Sequence, residues 1–143
     1  MLRGLKITFL LHMFVALAFG LVMFLSPEWW GRIANYAPID PTVTRVLGAA
    51  VLALALSSWL GFRAQQWEDV RIVVETEMAY TVLGSAAMLY SLYFAGAAPF
   101  TWVPLVTFMA FGVAWIYFYW KLHGVAAAPY GGSTGAPMGT AAH

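Results

Sequence analysis

The chain has 143 residues, of which 62% are hydrophobic, 17% aromatic and only 9% charged, against about 25% charged in an ordinary soluble domain. Water could not solvate a domain so made, and a formal net charge of +1 gives no electrostatic basis for holding nucleic acid. There is no cysteine, so disulfides, Cys-ligated zinc, iron–sulfur clusters and thiol redox chemistry are all excluded.

The first apolar run, Ile7 to Leu25, has the length of a full membrane span rather than of a signal-peptide core. Ser26-Pro27-Glu28-Trp29 is also no small-residue cleavage site. The run therefore reads as a retained first helix. Crossing a hydrocarbon layer of roughly 30 Å takes about 20 apolar residues in a helix. Four segments qualify: Lys6 to Leu25, Thr42 to Phe62, Val70 to Phe94 and Thr101 to Leu122. The continuous runs lack the alternation of a membrane β-barrel. The expected fold is all-α: an integral membrane four-helix up-and-down bundle over residues 1–123, followed by an extended Gly/Ala/Pro-rich tail over 124–143.

The connections carry their own signals. Asp40-Pro41-Thr42 offers a capping carboxylate followed by proline at the first helical position, and Ser26-Pro27-Glu28 repeats the pattern for a short helix between spans one and two. In that helix Trp29, Trp30, Ile33 and Tyr36 fall on roughly one side, as in an amphipathic segment lying flat in the interface. The short uncharged link from Ala95 to Phe100 makes spans three and four antiparallel neighbours. Arg3, Lys6, Arg63, Arg71 and Lys121 would share one side of the membrane, and Arg32 and Arg45 the other. Five positive charges against two place both termini in the cytoplasm of a bacterial cell, with the chain in its inner membrane. Aromatic belts at Trp67 and Trp115 to Trp120 on one side, and at Trp29, Trp30, Tyr36, Phe100 and Trp102 on the other, agree.

Along the second span Ala49, Ala53, Ser57 and Gly61 recur every fourth residue, a ladder of small side chains that lets another backbone approach closely. Ala16 with Gly20, and Ala110 with Ala114, are shorter versions. The tail cannot bury enough apolar surface by itself. Other membrane subunits, meeting the chain at these small-residue faces and at the tail, are the expected partners alongside lipid.

A charge inside a bilayer costs about 2.5 to 3.5 kcal/mol at a helix centre on insertion scales, so each calls for a partner or a purpose. Glu75 lies four residues after Arg71 and can form an interfacial ion pair. Glu77 has no basic residue three or four positions away. His12 lies six residues past Lys6 and Glu77 six past Arg71, which puts both roughly 9 Å inside the same boundary. A hydrogen bond between them would be either a structural clamp or, with Tyr80, a site for a proton relay or a quinone head group. His123 and His143 lie at the boundary and in the tail, so a haem with two axial histidines lacks a matched pair. His12 alone could ligate a chlorin magnesium. No metal site, cofactor or catalytic residue is predicted; a bound lipid, quinone or pigment is the open alternative. Phosphate-binding loops, HExxH and a serine–histidine–aspartate set are all missing.

Arg45-Val46-Leu47-Gly48-Ala49, opening the second span after an aromatic loop and Asp40-Pro41, resembles the Arg-x-x-Gly-Ala start seen in small four-helix DoxX-like and DUF4345-like bacterial membrane proteins. The layout is similar from Leu11 to Tyr119. The resemblance implies a four-helix bundle with an accessory role and brings no catalytic residue with it. The leading functional expectation is a non-catalytic structural or accessory subunit of a larger bacterial membrane complex, respiratory or photosynthetic. The competing ones are quinone, lipid or pigment binding at His12, Glu77 and Tyr80, and a small proton-coupled transporter.

Overall fold

A computed structural model describes residues 2–36 and 38–126. They form α1 (Arg3–Leu25), α2 (Pro27–Ile33), α3 (Pro41–Arg63), α4 (Arg71–Phe94) and α5 (Trp102–Ala126), with a 3-10 turn at Pro99–Thr101 leading into α5. No strand occurs among the described residues. Helices α1, α3 and α4, and the stretch Pro99–His123, are long and apolar enough to cross a membrane, with mean hydropathies of 2.4, 1.7, 1.3 and 1.6. Helix α5 continues through Ala126 and so takes up the first residues that composition assigns to the tail. The rest of the tail, with His143 and the subunit contact expected there, lies outside the described residues.

The helix ends follow local chemistry. At the start of α3 the Asp40 carboxylate accepts the N–H groups of Thr42 at 2.7 Å and Val43 at 3.1 Å, and Pro41 takes the position whose N–H would be orphaned anyway. Ser26 differs from the expectation. Its side chain makes no cap bond; instead its backbone N–H bonds to the Val22 carbonyl at 3.0 Å, closing α1, while α2 begins directly on Pro27. Helix α2 ends on Asn35, which adopts the left-handed conformation at φ +54°. There the Tyr36 N–H reaches the Gly31 carbonyl at 2.9 Å and the Asn35 N–H the Arg32 carbonyl at 3.3 Å, a Schellman-type stop.

That stop also decides how α2 sits. Trp30 and Ala34, one turn apart, turn inward on Met23, with Phe19 and Phe100 packed around them, while Trp29 and Ile33 are about half exposed. The single aromatic face expected for α2 is thus split, because Trp30 is drawn edge-on between the rings of Phe19 and Phe100 at 5.6 and 5.3 Å.

The long helices associate as two antiparallel pairs. Helix α1 runs along α3, and α4 along α5. Gly48 lies against the α1 backbone: a Cβ there would stand 2.7 Å from the Phe24 nitrogen and 3.0 Å from the Met23 carbonyl carbon. Gly20 meets Leu52 and Gly61 meets Phe9, so the order along one helix reverses along the other. In the second pair Gly84 abuts the Phe108 ring and Gly112 abuts Thr81.

The seam on α3 is therefore Gly48, Ala55, Ser58 and Gly61, all buried. Of the fourfold ladder read from sequence, Gly61 is buried, Ser57 half-buried, and Ala49 and Ala53 exposed. The buried positions are spaced by seven, three and three residues, so a ladder of fours coincides with them only at Gly61.

Candidate functional site

Two buried plugs lie at opposite ends: Leu5, Phe9, Val70, Val74 and Trp115 join α1, α4 and α5, and Met23, Trp30 and Ala34 join α1 and α2, with Phe100 packed against them. Between these plugs lies a cavity of about 370 Å³, walled by all four long helices and by Trp30 and Tyr36. Its lining runs from His12 to Met23 on α1 and from Thr44 to Leu54 on α3, roughly 15 Å along the helix axes at about 1.5 Å per residue. The shape is a slot, mostly apolar, with a few polar groups at chosen points. That is the usual character of a small-molecule site.

His12 stands at one end of the slot. It belongs to the inward seam of α1, with Phe9, Ala16, Gly20 and Met23, and is 8% exposed. Its Nδ1 is 2.7 Å from Ser58 Oγ. Its ring meets Phe111 and Trp115 edge-to-face, at centroid separations of 4.8 and 5.7 Å. The imidazole is thus fixed from three sides.

Glu77 comes from the corresponding seam of α4, where Val74, Glu77 and Thr81 are buried. Its Oε2 lies 3.7 Å from His12 Nε2. This is within ion-pair distance for a protonated imidazole but too long for a hydrogen bond, and neither Glu77 oxygen has a hydrogen-bond partner among the described residues. The two groups that sequence places at one depth do face each other, without the hydrogen bond considered for them. Tyr80, one turn beyond Glu77, is half-buried against Phe108 at 5.3 Å and lines the slot.

The remaining candidates lie apart. Arg71 Nε donates to Glu75 Oε1 at 2.9 Å, with both side chains about two-fifths exposed, so this pair belongs to the surface at the start of α4. His123 stacks on Tyr119 at 5.2 Å and lies eight residues past Trp115, roughly 12 Å farther along α5, out of reach of His12. Among the described residues no group of three His, Cys, Asp or Glu side chains could hold a metal ion.

Four residues were not assigned to the site from sequence: Ser58, which holds His12; Trp115 and Phe111, which bracket it; and Tyr36, whose hydroxyl meets Thr101 Oγ1 at 2.8 Å and closes the far end. Ser58 lies three residues from Ala55 and three from Gly61 and is buried with them, while its neighbour Ser57 is half-buried. Compared with protein-family models, with curated proteins and with solved structures, the chain finds a match in none of the three.

Proposed function

We propose that this is a multi-pass protein of the bacterial cytoplasmic membrane, with both termini in the cytoplasm and α1, α3, α4 and α5 crossing as an up-and-down bundle, that binds one elongated, mostly apolar small molecule between its two helix pairs. The observation carrying the binding role is the slot of about 370 Å³. A well-packed helical interior has few voids larger than a water molecule. A space this large, walled by side chains that include His12, Tyr80, Phe108 and Trp30, is better suited to a guest than to packing.

The membrane setting is supported by the outward faces of the long helices, where Leu11, Phe14, Val46, Ile72, Leu83 and Val113 are each more than half exposed, a surface that lipid tolerates and water does not. The likeness of the Arg45 to Ala49 segment to DoxX-like proteins supports the same fold, since Gly48 is where the two backbones of the first pair meet.

The test is direct. Full-length protein purified in mild detergent should release a single apolar compound in near-stoichiometric amount on solvent extraction. Val51→Trp, which fills the slot, should remove it, while Leu83→Trp on the outer face should not. Protein that yields no compound beyond bulk lipid, in both the unaltered chain and Leu83→Trp, would overturn the reading.

A second reading, a non-catalytic subunit of a larger respiratory or photosynthetic complex, draws on a different observation. Ala49 and Ala53 are exposed on α3, leaving a shallow strip that another membrane helix can approach. Ala53→Trp should then release a co-purifying partner; retention of every partner would remove the support.

A further inference from the structure

The interior of the slot has nothing to hold a charged head. No Asp, Glu, Lys or Arg side chain lines it, and burying an ion without a counter-charge is costly. Thr44, Thr81 and Thr107 donate to the carbonyls four residues back at 2.8, 2.7 and 2.9 Å, and Tyr36 pairs with Thr101. At the His12 end both imidazole nitrogens are turned to other helices, Nδ1 to Ser58 and Nε2 to Glu77. Beyond them lies the plug of Leu5, Phe9, Val70, Val74 and Trp115, each at most 1% exposed.

The other end differs. Tyr36 and Ile39 line the slot and also line a groove at the surface, whose walls include Glu28, Gly31, Arg32 and Asn35. Tyr36 is pinned by Thr101. Ile39 belongs to the link between α2 and α3 and rests on Gly31, where a Cβ would stand 2.7 Å from Ile39 Cδ1. The charges around the groove are not matched alike. Glu28 Oε1 lies 3.5 Å from Arg45 Nη2, and the Asp40 carboxylate is taken up by the N–H groups that open α3. Arg32, exposed, has no ion pair, and the Asn35 side chain no hydrogen bond, among the described residues. A guanidinium presents its donors in a fork that fits a carboxylate or a phosphate.

On the slot reading above, we infer that the guest is an amphiphile with an apolar chain and an acidic head, carboxylate or phosphate. The chain lies in the slot with its tip toward His12 and leaves past Ile39. The head rests in the groove, held by Arg32 and Asn35. On the proposed topology it stands at the face of the membrane opposite the cytoplasm.

The experiment measures binding of radiolabelled dodecanoate, dodecyl phosphate and dodecanol to the full chain in non-ionic detergent at low salt, by equilibrium gel filtration. At least one acid should bind more tightly than dodecanol, and the tighter acid identifies the head. In Arg32→Gln the ratio of acid to alcohol affinity should fall roughly threefold, the scale of an exposed ion pair. Dodecanol affinity should stay unchanged there, which shows that the variant is folded. Arg32→Lys should keep the ratio, and so should Arg63→Gln at the opposite end of the bundle. Val51→Trp, in the slot wall, should abolish binding of all three probes; if it does not fold, Leu47→Trp replaces it. An unchanged ratio in Arg32→Gln, an equal fall in Arg63→Gln, or acid binding that survives the filled slot while dodecanol binding is lost overturns this inference and leaves the slot reading standing. Binding of no probe, or dodecanol binding undiminished by the filled slot, overturns both.

Discussion

His12 Nε2 and Glu77 Oε2 face each other across 3.7 Å between α1 and α4, while the other nitrogen of His12 is held at 2.7 Å by Ser58. The two contacts differ in kind, and so should their energies. Polar side-chain pairs in membrane proteins average about 0.6 kcal/mol in double-mutant cycles and reach about 1.7. A cycle of His12→Phe with Glu77→Gln should fall in the lower half of that range, and one of His12→Phe with Ser58→Ala in the upper half. Reversible unfolding in mixed micelles measures both, and the reverse order would contradict the geometry.

The first helix pair should be far more sensitive at Gly48 than at the residue beside it. A larger side chain at Gly48 must push against the Phe24 and Met23 backbone, which cannot rotate away. Gly48→Leu should cost at least the roughly 1 to 3 kcal/mol typical of overpacking. Ala49→Leu and Ala53→Leu, on the exposed side, should stay within about 0.5 kcal/mol in the isolated protein. The same micelle unfolding assay checks all three.

The two Pro-initiated helices should respond differently to loss of the residue before the proline. Asp40→Ala removes an acceptor for two backbone N–H groups and should cost about 1 kcal/mol, within the usual 0.5 to 2 for a helix cap. Ser26→Ala removes no side-chain cap bond and should be nearly neutral. Equal losses would show that Ser26 caps α2 in solution.

The orientation proposed from the positive charges can be read chemically, because the chain has no cysteine. With single cysteines at two exposed positions, Ala95→Cys after α4 should react with a membrane-impermeant maleimide in intact cells. Gln66→Cys, between α3 and α4, should react only after permeabilisation. The opposite pattern would invert the topology.

Much of the fold can be read from hydropathy alone, because a helix that must face lipid needs little more than length and apolarity. The Asp40 cap is equally local: it involves residues two and three positions on. The depth of His12 and Glu77 comes from counting residues from Lys6 and Arg71, since rise along a helix is fixed. Rotation about the axis is harder. It decides whether Ala53 or Ala55 meets α1, and in a helix apolar on every side the sequence offers little contrast to set it. The slot was least legible. Leu47, Val51, Leu54 and Phe108 are residue types that would equally face lipid or fill a core, and only the spacing between the two helix pairs turns them into walls.

The pairing of α1 with α3 also has a consequence in time. In the membrane setting proposed here, α1 leaves the ribosome a few seconds before its partner helix is complete, at roughly 5–20 residues per second. Until then His12 has neither Ser58 nor Glu77. Helix α1 has the highest mean hydropathy of the four, 2.4, and α4, which brings Glu77, the lowest at 1.3. The helix that must wait with a solitary imidazole is the one most readily held by lipid alone. The helix that brings the carboxylate is made when α1 and α3 are already there to receive it.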